Sequence, residues 1–109
     1  MAGQYARLMD TRTLGPNQVR PREQVLDLGA FGTLVLDPRI LTVGTAGNLR
    51  VETASVNEDA AFRVVATIAL NAVAPMSVVT AFLRYVRWST DGNVAGGPVV
   101  LLDLVAKDG

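Results

Sequence analysis

The segment Leu49-Arg50-Val51-Glu52-Thr53-Ala54-Ser55 alternates apolar with charged or polar residues. This is the period of two that a strand shows when one face meets a core and the other meets water. Other segments of strand length follow the same logic. Val25 to Phe31 is a first apolar run, Thr33 to Leu36 continues past Gly32, and Asp37-Pro38 marks a bend before Arg39-Ile40-Leu41-Thr42-Val43. Phe62, Val64, Ala66, Ile68 and Leu70 line one face of a further strand, with Arg63, Val65, Thr67 and Ala69 on the other. The Glu-Asp-Ala-Ala start there also fits the opening of a helix, but the β-branched density at Val64, Val65, Thr67 and Ile68 favours the strand, because such side chains lose rotamer freedom in helices.

Val78 to Trp88 reads as a long strand or two joined by a bend, and Val99 to Ala106 closes the pattern as an apolar run whose only charge is Asp103. Runs of that kind are usually central in a sheet or covered on both faces. Turn chemistry separates the runs. Gly44 to Asn48 supplies two glycines and an Asn for a tight reversal, Asn57-Glu58-Asp59 makes a loop, Asn71 to Pro75 a connection, and Ser89 to Pro98 a Gly-rich loop. About seven or eight strands at spacings near ten residues, without a convincing helix, predict an all-β chain folded as an antiparallel β-sandwich or jelly roll. Residues 1–23 stand apart. Met9 to Gln18 shows no apolar period, and Pro16 and Pro21 interrupt pairing, so this stretch is expected as an extended N-terminal arm or loop preceding a sandwich domain of residues 24–109.

Composition narrows the function classes. The 109 residues suit one domain, half of them are hydrophobic and 18% are charged, which predicts a folded core rather than disorder. No apolar run approaches the roughly 18 residues of a membrane helix, and Met1 to Arg7 lacks the pattern of a secretory leader, so synthesis in a cytoplasm is expected. Ten basic and ten acidic residues cancel, leaving little long-range field for nucleic acid or anionic membrane. There is no cysteine and no histidine, which removes thiolate metal sites and most proton-shuttling triads. Nine of the ten basic residues are arginine. A GC-rich genome accounts for that bias, and so do arginines placed in protein interfaces, where the planar guanidinium tolerates partial burial.

Candidate chemistry is sparse. Glu52, Glu58 and Asp59 are the best candidates for a carboxylate pair in general acid–base work, although Glu52 alternates outward beside Arg50 as a solvated strand face would. Asn57, Glu58 and Asp59 offer oxygen ligands of the type calcium prefers, at a spacing that matches no calcium loop and fits a plain turn. Gly92, Gly96 and Gly97 lack the helix and Lys-Ser/Thr pair of a phosphate cradle. No cofactor is expected. Phe82 to Trp88 holds three of the six aromatic residues. Alternation sets Phe82, Arg84, Val86 and Trp88 on one face and Leu83, Tyr85 and Arg87 on the other, a pattern that suits either a core or contact strand or an aromatic platform for sugars.

Val25-Leu26-Asp27-Leu28-Gly29-Ala30-Phe31, a following strand with Arg39, the Ala54 to Asp59 turn, and Arg84-Tyr85-Val86-Arg87 together resemble discoidin-type, galactose-binding-like jelly rolls. More closely, the pattern over roughly residues 24 to 106 is similar to small single-domain β-sandwich structural proteins of tailed bacteriophages. That resemblance implies a non-enzymatic virion component, made in the host cytoplasm. It implies a capsid decoration protein or other head piece, oligomeric or lattice-bound, whose partners are the major capsid protein or other virion proteins. Contact candidates are Tyr5, Arg7, Arg12, Arg20 and Arg22 in the arm, with Arg84 and Arg87 on the aromatic strand. The alternative it implies is a carbohydrate-binding adhesion module with Tyr85 and Trp88 exposed to glycan.

Overall fold

The computed structural model describes residues 3–20, 25–28, 33–72, 77–79 and 83–107. Within them eight strands follow one another: β1 (Gly3–Thr13), β2 (Leu26–Asp27), β3 (Thr33–Thr42), β4 (Asn48–Ala54), β5 (Arg63–Ala69), β6 (Ser77–Val79), β7 (Tyr85–Thr90) and β8 (Val99–Lys107). They form two four-stranded sheets, in the orders β1-β8-β3-β6 (sheet A) and β2-β7-β4-β5 (sheet B). Every pairing is antiparallel.

The pairings nest. First strand meets last, second meets seventh, third meets sixth and fourth meets fifth, as in one long hairpin folded across itself into two facing sheets. Wrapping then adds β3 against β8 and β4 against β7, and the result is the eight-stranded jelly roll. The sandwich expected from strand spacing is the fold observed, and β8 is central as its apolar run predicted.

Alternation fills the space between the sheets. Leu34 and Leu36 of β3 and Val100, Leu102, Leu104 and Ala106 of β8 point inward from sheet A. Leu49 and Val51 of β4, Ile68 of β5 and Val86 and Trp88 of β7 face them from sheet B. Each large aliphatic side chain sealed this way contributes about 1.5–3 kcal/mol.

Several expectations change. The N-terminal arm is extended, but residues 3–13 belong to the sandwich: β1 pairs with β8 from Gly3↔Lys107 to Thr13↔Val99. Register shifts fall between Arg7 and Met9 and between Met9 and Arg12. The first lets the consecutive Leu8 and Met9 both be fully buried, and these bulges erase the alternation that would have marked a strand. In β5 a shift against Val51 and Glu52 bulges the strand at Val65. Val64, expected inward, is 47% exposed, while Val65 packs on the core.

The predicted bend at Asp37-Pro38 is a continuous strand. Pro38 continues the strand opposite Leu102 of β8. The predicted first strand survives as the two-residue β2, since Gly29 to Gly32 lie outside the described residues. Ser89 and Thr90, expected in the Gly-rich loop, complete β7. The Gly44 to Asn48 turn is where it was expected, and Gly47 has φ +93°, with room for no side chain: a Cβ there would lie 2.4 Å from Cα of Val94.

Candidate functional site

The residues singled out by sequence do not converge on one cleft. They divide among three places.

The outer face of sheet A carries the first group. Arg7 and Asp103 are direct neighbours across β1 and β8, and Asp37 flanks Asp103 from β3. Arg7 Nε donates to Asp103 Oδ1 at 2.7 Å and its Nη2 to Oδ2 at 3.3 Å, a two-pronged clasp. Hydrogen bonding from Arg7 holds the Asp103 carboxyl below its ordinary pKa despite its burial. The same bond raises that of Arg7. Arg39 Nη2 reaches Asp37 Oδ2 at 3.4 Å. In the next row, Tyr5, Val105 and Val35 align across the three strands. Tyr5 is 60% exposed, and the two valines are half-buried. This face therefore presents an apolar stripe beside a row of internally paired charges.

The outer face of sheet B carries the second group, built on β4 and β7, where Glu52 lies opposite Arg87 and Arg50 opposite Ser89. Glu52 was expected as a solvated carboxylate; it is buried. Arg87 Nε donates to Glu52 Oε1 at 2.9 Å, Ser89 Oγ donates to Glu52 Oε2, and Arg87 Nη1 donates to Asp59 Oδ1 at 2.9 Å. Phe62 stacks on the guanidinium, 4.0 Å from Cζ to the ring centre. Burial requires these partners, because an uncompensated charge out of water is far costlier than a paired one. Arg87 thus stands between Glu52 and Asp59 as their counter-ion, and the three form an ion triad rather than an acid–base pair. Glu58 is exposed in the preceding loop. Among the described residues no three His, Cys, Asp or Glu side chains are placed to hold a metal ion.

The third group lies where β1 approaches β7. Trp88 is 2% exposed and part of the core, with the Arg12 guanidinium 5.1 Å from its ring centre. Residues 17–20 run beside β7, beyond the short stretch paired with β2: Thr90 N donates to Gln18 O at 2.8 Å, and Arg20 N to Trp88 O at 3.1 Å. The buried Thr90 hydroxyl donates to Gly15 O and accepts from Gln18 N, both at 2.8 Å. Burial, then the like charge of Arg12, lowers the pKa of Arg20, against the pull of Asp10. Arg84 precedes β7 and is exposed. It clasps Asp27 of β2 through Nε and Nη2, both at 2.9 Å, and lies 5.3 Å from the ring centre of the half-buried Tyr85. Arg22 lies outside the described residues.

Sequence reasoning named the arginines and missed what they bind. Asp103 carried a readable signal, a lone charge in an apolar strand; Asp27 and Ser89 carried none. No described helix is long and apolar enough to cross a membrane. Compared with protein-family models, curated proteins and solved structures, the chain matches none.

Proposed function

We propose that this chain is a non-enzymatic structural protein of a phage-like virion, a capsid decoration protein or other head component that acts by contact with the major capsid protein and its neighbours. The observation that carries the reading is the outer face of sheet A. Tyr5, Val105 and Val35 form an apolar stripe, and the charges beside it are already held by Arg7–Asp103 and Arg39–Asp37 pairs. A face whose charged side chains are positioned in advance loses little conformational freedom on docking, and repetition on a lattice multiplies weak contacts. The jelly roll is used in capsids and in lectins alike, so the fold by itself does not choose between them. The bacteriophage resemblance of the sequence supports the first.

The carbohydrate-binding reading needs an exposed aromatic platform. Trp88 is in the core and Tyr85 is half-buried beneath Arg84, so no specific observation favours it. Co-sedimentation with capsids assembled from the products of neighbouring genes tests the proposal. Binding is expected, and Tyr5→Ala together with Val105→Asp should abolish it. Full retention of the protein in the supernatant at saturating capsid would overturn the reading.

A further inference from the structure

We propose that β5 is a docking edge for a second copy of this chain, joining two copies of sheet B into one continuous antiparallel sheet about a two-fold axis at Thr67. This goes beyond the reading above, which names a particle protein without naming a surface shared by its copies.

The sandwich has four sheet edges, and they are not equivalent. An open edge is a row of unpaired N–H and C=O groups, and proteins ordinarily blunt it with charges, bulges, proline or brevity. Edge β1 is blunted by Arg7, Asp10 and Arg12 and by two register shifts. Edges β2 and β6 border residues outside the described ones, so the comparison is between β1 and β5. Edge β5 has none of these defences after its bulge at Val65: Ala66, Thr67, Ile68 and Ala69 pair with β4 in unbroken register, and no charge, proline or glycine occurs from Val64 to Leu70. Val64, Thr67 and Ala69 are exposed there. Among the described residues β5 pairs only with β4. A strand of this composition, with its edge open, is a template for strand addition.

Self-pairing is the occupancy that the residues suit. Directly opposed residues of an antiparallel pair lie on the same face, so a two-fold axis must pass through a residue if both cores are to stay inside. An axis at Thr67 meets that condition. It sets Thr67 against its own copy on the outer face, and places Ala66 opposite Ile68 of the partner subunit, small against large, twice on the inner face. The one charge of β5, Arg63, falls outside the regular stretch, opposite the uncharged turn at Asn71 and Ala72. No like charges meet. At β1 a self-pairing that extends beyond Gly3–Arg7 crosses its bulges, and one within that stretch must accommodate Arg7.

The test is sedimentation of the full chain over rising concentration, with Thr67→Lys, Thr67→Glu and, as an edge control, Thr11→Lys. The unmodified protein is expected to dimerise. Each Thr67 variant sets like charges against each other at the axis and should weaken association by about tenfold or more. A one-to-one mixture of Thr67→Lys and Thr67→Glu should restore it, because lysine then faces glutamate. Thr11→Lys should change nothing. Thr67 is exposed and lies opposite Arg50 of β4. At dilution Thr67→Lys should therefore lower the thermal midpoint slightly and Thr67→Glu raise it slightly with the fold retained, while both weaken association; amide exchange in β5 of the unmodified protein, slowing as concentration rises, needs no variant at all. A chain that stays monomeric at about millimolar concentration, a mixture that fails to recover, or a dimer lost in Thr11→Lys overturns the proposal. A monomer that still co-sediments with capsids would overturn this inference and leave the proposed function standing.

Discussion

Asp103 is the only charged side chain between Val99 and Ala106, and its burial is tolerable because Arg7 grips both of its oxygens. That grip makes stability depend on pH in a definite direction. The folded carboxyl titrates below its ordinary value of about 3.9, so between the folded and unfolded values the unfolded chain binds more protons. The stabilisation is complete above the unfolded value and disappears as pH falls through the folded one. Asp91 acts in the same sense, its carboxyl lowered first by the backbone N–H of Asn93. Thermal midpoints measured from neutral to strongly acid pH should therefore fall in the acid range, and Asp103→Asn should lower the neutral midpoint while flattening, without abolishing, that fall. Arg87 presents the sharper case because both it and Glu52 are buried. Arg87→Ala leaves Glu52 without its cation and should cost about 3–5 kcal/mol in urea unfolding. Removing Glu52 as well should recover part of the loss, whereas additive losses would show that the two are not coupled.

At the scale of elements, β1 behaves as a structural strand. Leu8 is fully buried between the sheets, so Leu8→Ala should destabilise the protein by about 2–5 kcal/mol in the same urea experiment; an arm lying free of the core would show no loss. Why β1 reads as an arm in the sequence, while β4, β7 and β8 read as strands, comes down to register. Strands that pair regularly keep inward and outward positions in strict alternation, and Leu49 to Ala54 shows it openly. A bulge adds a residue and reverses the faces beyond it, so Leu8-Met9 looks like noise and Val64 looks like core. Pro38 misleads for a different reason, since proline reads locally as a break, yet Pro38 continues β3 opposite Leu102 of β8. The candidate surface was legible only in half. Arginines suited to contacts stand out by type, but the partners of Arg7, Arg84 and Arg87 lie 96, 57 and 35 residues away. Only the nesting and wrapping of the strands bring them together. Glu52 shows the cost of that gap: an outward position on one strand is a buried position once Arg87 and Phe62 close over it.

For the whole molecule, the nested pairing orders the contacts by the length of chain each must close. The pair β4·β5 is joined by one short loop and its 3-10 turn at Asp59–Ala61, while β1·β8 unites Gly3 with Lys107. Closing a long loop costs entropy before any contact offsets it, and each inner pair, once formed, shortens the effective loop for the next one out. Folding should therefore be slow, in the millisecond-to-second range typical of sandwiches, roughly, and should proceed from β4·β5 outward. Stopped-flow refolding and unfolding of single variants reads this order. Val51→Ala and Ile68→Val, in the innermost pair, should slow refolding and give φ values of about 0.5–0.8. Leu8→Ala and Leu104→Ala, in the outermost, should act chiefly by speeding unfolding, with φ below about 0.3. The reverse assignment would mean that the two ends of the chain pair first and the turn between β4 and β5 closes last; Leu8→Ala would then slow refolding by the whole of its stability loss, and the nested order would describe only the finished fold, not its assembly.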